Sequence, residues 1–180
     1  MALARLRQLS AHEVGHTLGL THNFAASVND RSSVMDYPHP YITLKNGKVN
    51  FSDAYDVGIG DWDKRMIIYG YQTFQPDQNE AEELIKIIAE NLRQDLQFIT
   101  DHDARPQGGA HPYAHLWDNG EDAVSELNRI SELRRYGINN FSEKNIPVGA
   151  PMATLENVFV PIYLMHRYQV EAVSKIIGGN

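Results

Sequence analysis

Three histidines and Gly19, within the eleven residues from His12 to His22, constrain this chain more than any other feature. The segment reads H-E-V-G-H-T-L-G-L-T-H. Because an α-helix turns once in about 3.6 residues, His12 and His16 project from the same face, one turn apart. Gly19 can adopt a positive φ, which ends the helix and turns the chain back, so that His22 can approach the same point. The spacing predicts a helix followed by a sharp turn, with three imidazoles brought together.

Three convergent imidazoles can bind one metal ion. Three protein nitrogens leave the fourth tetrahedral position of Zn²⁺ open, as in catalytic zinc sites. The chain has no cysteine, so His, Asp or Glu must hold the metal. Glu13 follows the first histidine, where a general base can take a proton from water beside the ion. Two other interpretations are surface histidines on a polar helix and a structural zinc site, which would need four protein ligands and has no use for Glu13.

A second motif, Ser33-Val34-Met35-Asp36-Tyr37, follows closely. Together the two motifs resemble the metzincins, zinc peptidases in which H-E-x-x-H-x-x-G-x-x-H precedes a methionine-containing turn. The resemblance implies Zn²⁺ as the cofactor of the three imidazoles and Met35 as the Met-turn residue beneath them. It also implies hydrolysis of peptide bonds in a peptide or protein substrate. Glu13 would then be the general base, and Tyr37 would steady the oxyanion of the tetrahedral intermediate.

Further segments make the chain similar to the met-zincin-like domains of large bacterial proteins. They are His22-Asn23-Phe24, the stretch from Ser32 to Pro38, the stretch from Tyr55 to Lys64, Trp117-Asp118-Asn119-Gly120 and His166-Arg167-Tyr168-Gln169. The resemblance spans essentially the whole chain. It implies export to the periplasm or the cell surface.

Hydrophobic periodicity predicts a mainly α fold with one small β-hairpin. Asn46-Gly47 predicts a two-residue turn that pairs Leu44 with Val49 and Ile42 with Phe51. The predicted helices cover residues 2–18, 61–69 with Asp61 as N-cap and Gly70 as its end, 78–99, 123 to Gly137, and 154–177 with a kink at Pro161.

We expect two segments. Residues 1–72 hold the zinc-binding helix, the Met-turn, the hairpin and the following helix, and residues 73–180 form a helical extension packed on them. By the resemblance, this is the lower (C-terminal) subdomain of a metzincin, whose upper sheet subdomain lies outside this chain. An amphipathic pattern (Leu3, Leu6, Leu9 and Val14) already runs at the first residues, so we expect a fragment of a longer protein, with its N-terminal part as a partner.

Composition narrows the function classes. The net charge of -7 without a basic stripe argues against a nucleic-acid partner. No apolar run has the length of a membrane span, which is about 18 residues or more.

Two alternatives to a peptidase stay open, namely an inactive zinc-holding binding module and a zinc hydrolase of a non-peptide amide. The polar loop at 101–118 is either solvated or holds a second ion such as calcium. His39 either lines the cleft or is an ordinary loop histidine, and His166 is predicted to be a structural histidine inside the last helix.

Overall fold

A computed structural model of the protein describes residues 1–106 and 108–178. It is mainly helical, with one antiparallel hairpin, as predicted. The helices are α1 (Ala2–Thr17), α2 (Asp61–Tyr71), α3 (Glu80–Arg93), α4 (Asp101–Ala104), α5 (Ala123–Asn139), α6 (Thr154–Tyr163) and α7 (Arg167–Gly178). The strands are β1 (Thr43–Lys45) and β2 (Lys48–Asn50), and two 3₁₀ turns lie at Ala26–Asn29 and Glu143–Asn145.

Helix α1 ends as the sequence predicts. Gly19 has φ +84, and a Cβ at this residue would contact nothing, so conformation rather than space favours glycine here. The buried side of α1 is not the leucine stripe, however. Gln8, His12 and Gly15 face the interior, whereas Leu3 is 68% exposed and Leu6 57% exposed. The helix therefore packs through the face that carries Gln8, His12 and Gly15, with Ala11 against an apolar cluster, and not through Leu3 and Leu6.

The hairpin has the predicted register. Leu44 pairs with Val49, and both turn residues have positive φ, at 53° for Asn46 and 71° for Gly47, as a type I′ turn requires. The ladder is shorter than predicted, because it stops at the pair of Thr43 with Asn50 and does not reach Ile42 and Phe51.

The C-terminal helices differ from the predicted boundaries. Helix α3 ends at Arg93, because Asp95 turns with φ +55, and no helix resumes until Asp101. Helix α5 passes through Gly137, where a Cβ would lie 2.8 Å from Ile162 Cγ2, so this glycine allows α5 and α6 to pack closely. The prediction of one helix over 154–177 is wrong, since the structure has two helices; Pro161 stays inside α6, and the break lies at residues 164–166.

The chain between α1 and β1 contributes residues to two small apolar clusters. One contains Val34, Met35, Trp62 and Leu96. The other contains Phe24, Ala104 and Ala114, with Tyr37 packed against it. Helices α6 and α7 both pack on α5. In the described part of the chain, no helix combines the length and the apolar character needed to cross a bilayer.

Candidate metal centre

The three predicted histidines lie together in the structure. One ring nitrogen from each of His12, His16 and His22 can be chosen so that all three atoms lie within 4.8 Å of one another. His12 Nε2 and His16 Nε2 are 3.1 Å apart. Two nitrogens bound to one tetrahedral zinc ion at about 2.0–2.1 Å are separated by roughly 3.3–3.4 Å. The spacing of these two imidazoles therefore suits a shared ion.

Each imidazole is anchored through its other nitrogen. His12 Nδ1 donates to the Val34 carbonyl at 2.7 Å, and His16 Nδ1 donates to the Leu20 carbonyl at 2.9 Å. His22 Nδ1 donates to Asp101 Oδ2 at 2.7 Å. Because these oxygens only accept, the proton of each neutral ring sits on Nδ1, and each Nε2 is left with a free lone pair.

When the rings are neutral, the converging Nε2 atoms are acceptors only. His22 Nε2 is buried and has no hydrogen-bond partner among the described residues. Burial lowers the pKa of His12, the neighbouring His16 and His22 lower it further, and the bond to Val34 only partly opposes these effects. Neutral imidazoles that point unpaired nitrogens at one point are the donor set that a divalent cation such as zinc binds. The residues present thus fit a metal ion.

Met35 packs directly against α1. Its side chain is fully buried, and a Cβ at Gly15 would lie 2.3 Å from Met35 Sδ. Gly15 therefore gives the methionine its space beside the two helical histidines. The sequence motif offered this glycine no role, since only the structure shows what faces it.

Asn23 holds the turn that carries the third histidine. Its backbone N–H donates to the Met35 carbonyl at 3.0 Å, and its side-chain amide donates to the Gln97 carbonyl at 2.9 Å. Its Oδ1 accepts from the Ile99 N–H at 3.2 Å, and Phe24 N–H donates to the Ile99 carbonyl at 2.8 Å. This buried network joins the segment after α1 to the segment before α4.

Asp63, near the start of α2, holds the residues before the methionine. Its carboxylate accepts from Ser33 Oγ and, at 2.8 Å, from the Val34 N–H. The same carboxylate accepts from the Gly60 N–H at 2.8 Å, so the N-cap of α2 is Gly60 and the prediction of Asp61 was wrong. Since Val34 also accepts the bond from His12, this carboxylate positions a metal-facing imidazole indirectly.

Tyr37 lies against the histidines. Its ring centroid is 4.9 Å from that of His12 and 4.7 Å from that of His22. Trp117 stacks on its other side at 5.5 Å, and the Trp117 N–H donates to the Tyr37 carbonyl at 3.1 Å. Trp117 has φ +67, a strained conformation for a bulky residue, of a kind that recurs at functional sites. Burial raises the pKa of Tyr37, so its hydroxyl stays protonated at neutral pH.

Glu13 is exposed beside the cluster. In the parts of the chain described here its carboxylate makes no ion pair with a Lys, Arg or His. Its negative charge raises the pKa of His12 and of Tyr37, so it is within electrostatic reach of both. The carboxylate is free to meet a water molecule or a substrate.

Comparison with known protein families matches residues 1–180 to the family described as Met-zincin. The chain belongs to the Met-zincin family. No curated protein and no solved structure matches it significantly. The match covers the whole chain, including the C-terminal segment that supplies Asp101 and Trp117 to the site.

Sequence reasoning missed the roles of Gly15, Asn23, Asp63 and Asp101 in this Met-zincin site. Asp101 was treated as part of a solvated or calcium-binding loop, but its carboxylate bonds to His22 and its Oδ1 lies 3.0 Å from Arg105 Nε. Burial alone would raise the pKa of Asp101, but the His22 bond and the Arg105 charge outweigh burial and leave that pKa below its usual value. Over residues 1–106 and 108–178, the histidine triad is the only group of three or more potential metal ligands.

The other two histidines in question, His39 and His166, are not part of the triad. His39 packs near Trp117 and Tyr168, with ring centroids 6.0 and 5.5 Å away. His166 was predicted to lie inside the last helix, but it lies in the break between α6 and α7.

Proposed function

We propose that this Met-zincin hydrolyses peptide bonds, with a zinc ion held by His12, His16 and His22. The observation that carries the proposal is the convergence of three imidazoles, each of which donates through Nδ1 to another oxygen, next to Glu13, whose carboxylate has no ion-pair partner in the described residues. A structural zinc site would need a fourth protein ligand, and no further His or carboxylate joins the triad in the described residues. An open coordination position beside a free base is the arrangement of a hydrolase.

Bound zinc would supply Lewis acidity, which polarises a carbonyl and lowers the pKa of a water molecule from about 16 toward 7. Glu13 accepts the proton of the attacking water and then passes it to the leaving amine. Tyr37, held between the histidines and Trp117, keeps its hydroxyl proton and donates it as a hydrogen bond to the oxygen that becomes negative. Met35 supports the helix beneath the imidazoles.

The proposed partner is a peptide or protein, and the proposed place of action is the periplasm or the cell surface. Both proposals rest on the resemblance to exported bacterial proteins and on the family. The acidic net charge of -7 supports a partner other than nucleic acid.

The test combines metal content with cleavage. The chain, Glu13→Gln and His16→Ala are loaded with zinc, and zinc per chain is measured by elemental analysis. We expect about one zinc in the chain and in Glu13→Gln, and little in His16→Ala. A library of internally quenched peptides then reports hydrolysis, which Glu13→Gln should reduce by at least about 10²-fold, the lower range for loss of a general base.

Three outcomes would overturn the proposal. Stoichiometric zinc without cleavage of any peptide, in the chain as in Glu13→Gln, would favour a zinc-holding binding module. Hydrolysis confined to non-peptide amides would favour the other alternative. Equal zinc content in His16→Ala and the parent chain would refute the metal site itself.

A further inference from the structure

We propose that Asp101 is the positioning residue of the third metal ligand, which it holds in one tautomer and one orientation. The inference rests on the proposed zinc site. It adds to that site a carboxylate from a segment 79 residues away from His22.

The third ligand needs such a partner more than the first two do. His12 and His16 sit on one helix, which fixes their spacing, and backbone carbonyls accept from their Nδ1 atoms. His22 lies beyond Gly19 and outside any helix, so its ring has no helical neighbours to define it. Its Nδ1 has a side-chain partner instead, Asp101 Oδ2 at 2.7 Å, while its Nε2 stays unpaired.

Asp101 is itself held in place from several sides. Arg105 Nε lies 3.0 Å from Asp101 Oδ1, and Thr100 Oγ1 lies 3.4 Å from Oδ2. The chain just before it is fixed by the Asn23 side chain, which bonds to Gln97 and Ile99. These contacts therefore fix both the Asp101 carboxylate and the backbone that carries it.

The geometry has two chemical effects. A carboxylate that accepts from Nδ1 keeps the proton there, which leaves Nε2 as the metal-binding nitrogen. It also raises the basicity of the ring and fixes its plane, and loss of such partners weakens metal affinity about 10–100-fold. Asp101→Asn nearly preserves shape but removes the charge, so it should raise the zinc Kd within that range.

The experiment compares Asp101→Asn with two matched controls in the full chain. Asp103→Asn removes the same charge from the same short helix, at an exposed position. Arg105→Gln breaks the ion pair on Asp101 Oδ1 but leaves the bond to His22. Zinc Kd is measured by chelator competition. We expect both controls to stay within about threefold of the parent chain, and Asp101→Asn to lose about 10–100-fold.

A second readout needs no metal. In the metal-free chain, nitrogen-15 NMR of the histidine rings should show His22 protonated at Nδ1, and Asp101→Asn should shift it toward a mixture of tautomers. A residue that only stabilised the fold would change the unfolding temperature and not the tautomer. Equal zinc Kd in Asp101→Asn and Asp103→Asn, or an unchanged His22 tautomer, would overturn the inference.

The experiments distinguish failure of the positioning role from failure of the peptidase proposal. If the chain binds zinc and loses affinity in Asp101→Asn but cleaves no peptide, the positioning role stands and the peptidase proposal falls. If peptides are cleaved and Asp101→Asn matches its controls in Kd, the peptidase proposal stands and the positioning role falls.

Discussion

Gly60 offers the sharpest test of how the metal centre is supported. A Cβ at this residue would lie 1.8 Å from the Ser32 carbonyl oxygen, 2.1 Å from its carbon and 2.6 Å from Ser33 N. These are backbone atoms and cannot move aside as a flexible side chain would. In Gly60→Ala, the start of α2 must therefore separate from the segment that carries Ser33 and Val34.

The cost follows from the bonds across this contact. The Trp62 N–H donates to the Ser32 carbonyl at 3.0 Å, and the Val34 N–H donates to the Asp63 carboxylate at 2.8 Å. A neutral bond contributes about 1 kcal/mol and a bond to a charged group about 1.5–3 kcal/mol. Losing both lowers the free energy of unfolding by roughly 2.5–4 kcal/mol, a large part of the 5–15 kcal/mol typical of a domain.

The assay is thermal and urea unfolding of the metal-free chain, with Gly70→Ala as the matched control. Gly70 is exposed in α2 with nothing near its Cβ position, so alanine there should raise stability by about 0.5–1 kcal/mol. For Gly60→Ala we expect the unfolding temperature to fall by roughly 5–16 °C. An unfolding temperature for Gly60→Ala equal to or above that of the parent chain, as expected for the control, would refute the reasoning about this contact.

Three further predictions concern the site and its pH response. Tyr37→Phe should lower kcat by about 10²-fold and leave the zinc Kd within about twofold, because only the proposed oxyanion donor is lost; equal kcat would exclude that role. Burial and the charge of Lys175 lower the pKa of His115 to about 4, so its contribution to stability is lost as pH falls from about 6.5 to 4. The unfolding free energy of the parent chain should therefore decline relative to His115→Gln over this range, and parallel pH curves would contradict it. Burial raises the pKa of Asp118 to about 7, so the unfolding free energy of the parent chain should fall as pH rises from about 4 to 7. Asp118→Asn should therefore gain stability relative to the parent over this range, a pH dependence opposite in sign to that of His115.

Local chemistry explains what the sequence could predict. The end of α1 at Gly19 and the pairing of Leu44 with Val49 depend on residues within a few positions of one another, and both were confirmed. The convergence of the three histidines also follows from local spacing and one reversal of the chain.

Distant contacts explain what it could not predict. Helix α3 stops at Arg93, and the chain turns at Asp95, which places Leu96 in the apolar cluster with Val34, Met35 and Trp62. The hydrophobic periodicity of the sequence does not reveal this packing. The role of Asp101 depends on a neighbour 79 residues away. Leu3, Leu6 and Val14 of α1 follow the helical period but stay exposed, because periodicity shows which residues share a face and not which face is covered.

The bond between His22 and Asp101 also has a consequence for biosynthesis. Ribosomes add roughly 5–20 residues per second, so the 79 residues between these partners take roughly 4–16 s to make. During that interval the nascent chain carries all three imidazoles, but the third lacks the carboxylate that orients it. By the effect proposed for Asp101, an ion met by the emerging chain would be bound about 10–100-fold less tightly than in the completed site. Tight metal binding would then follow only once the chain has been made well past its ligands.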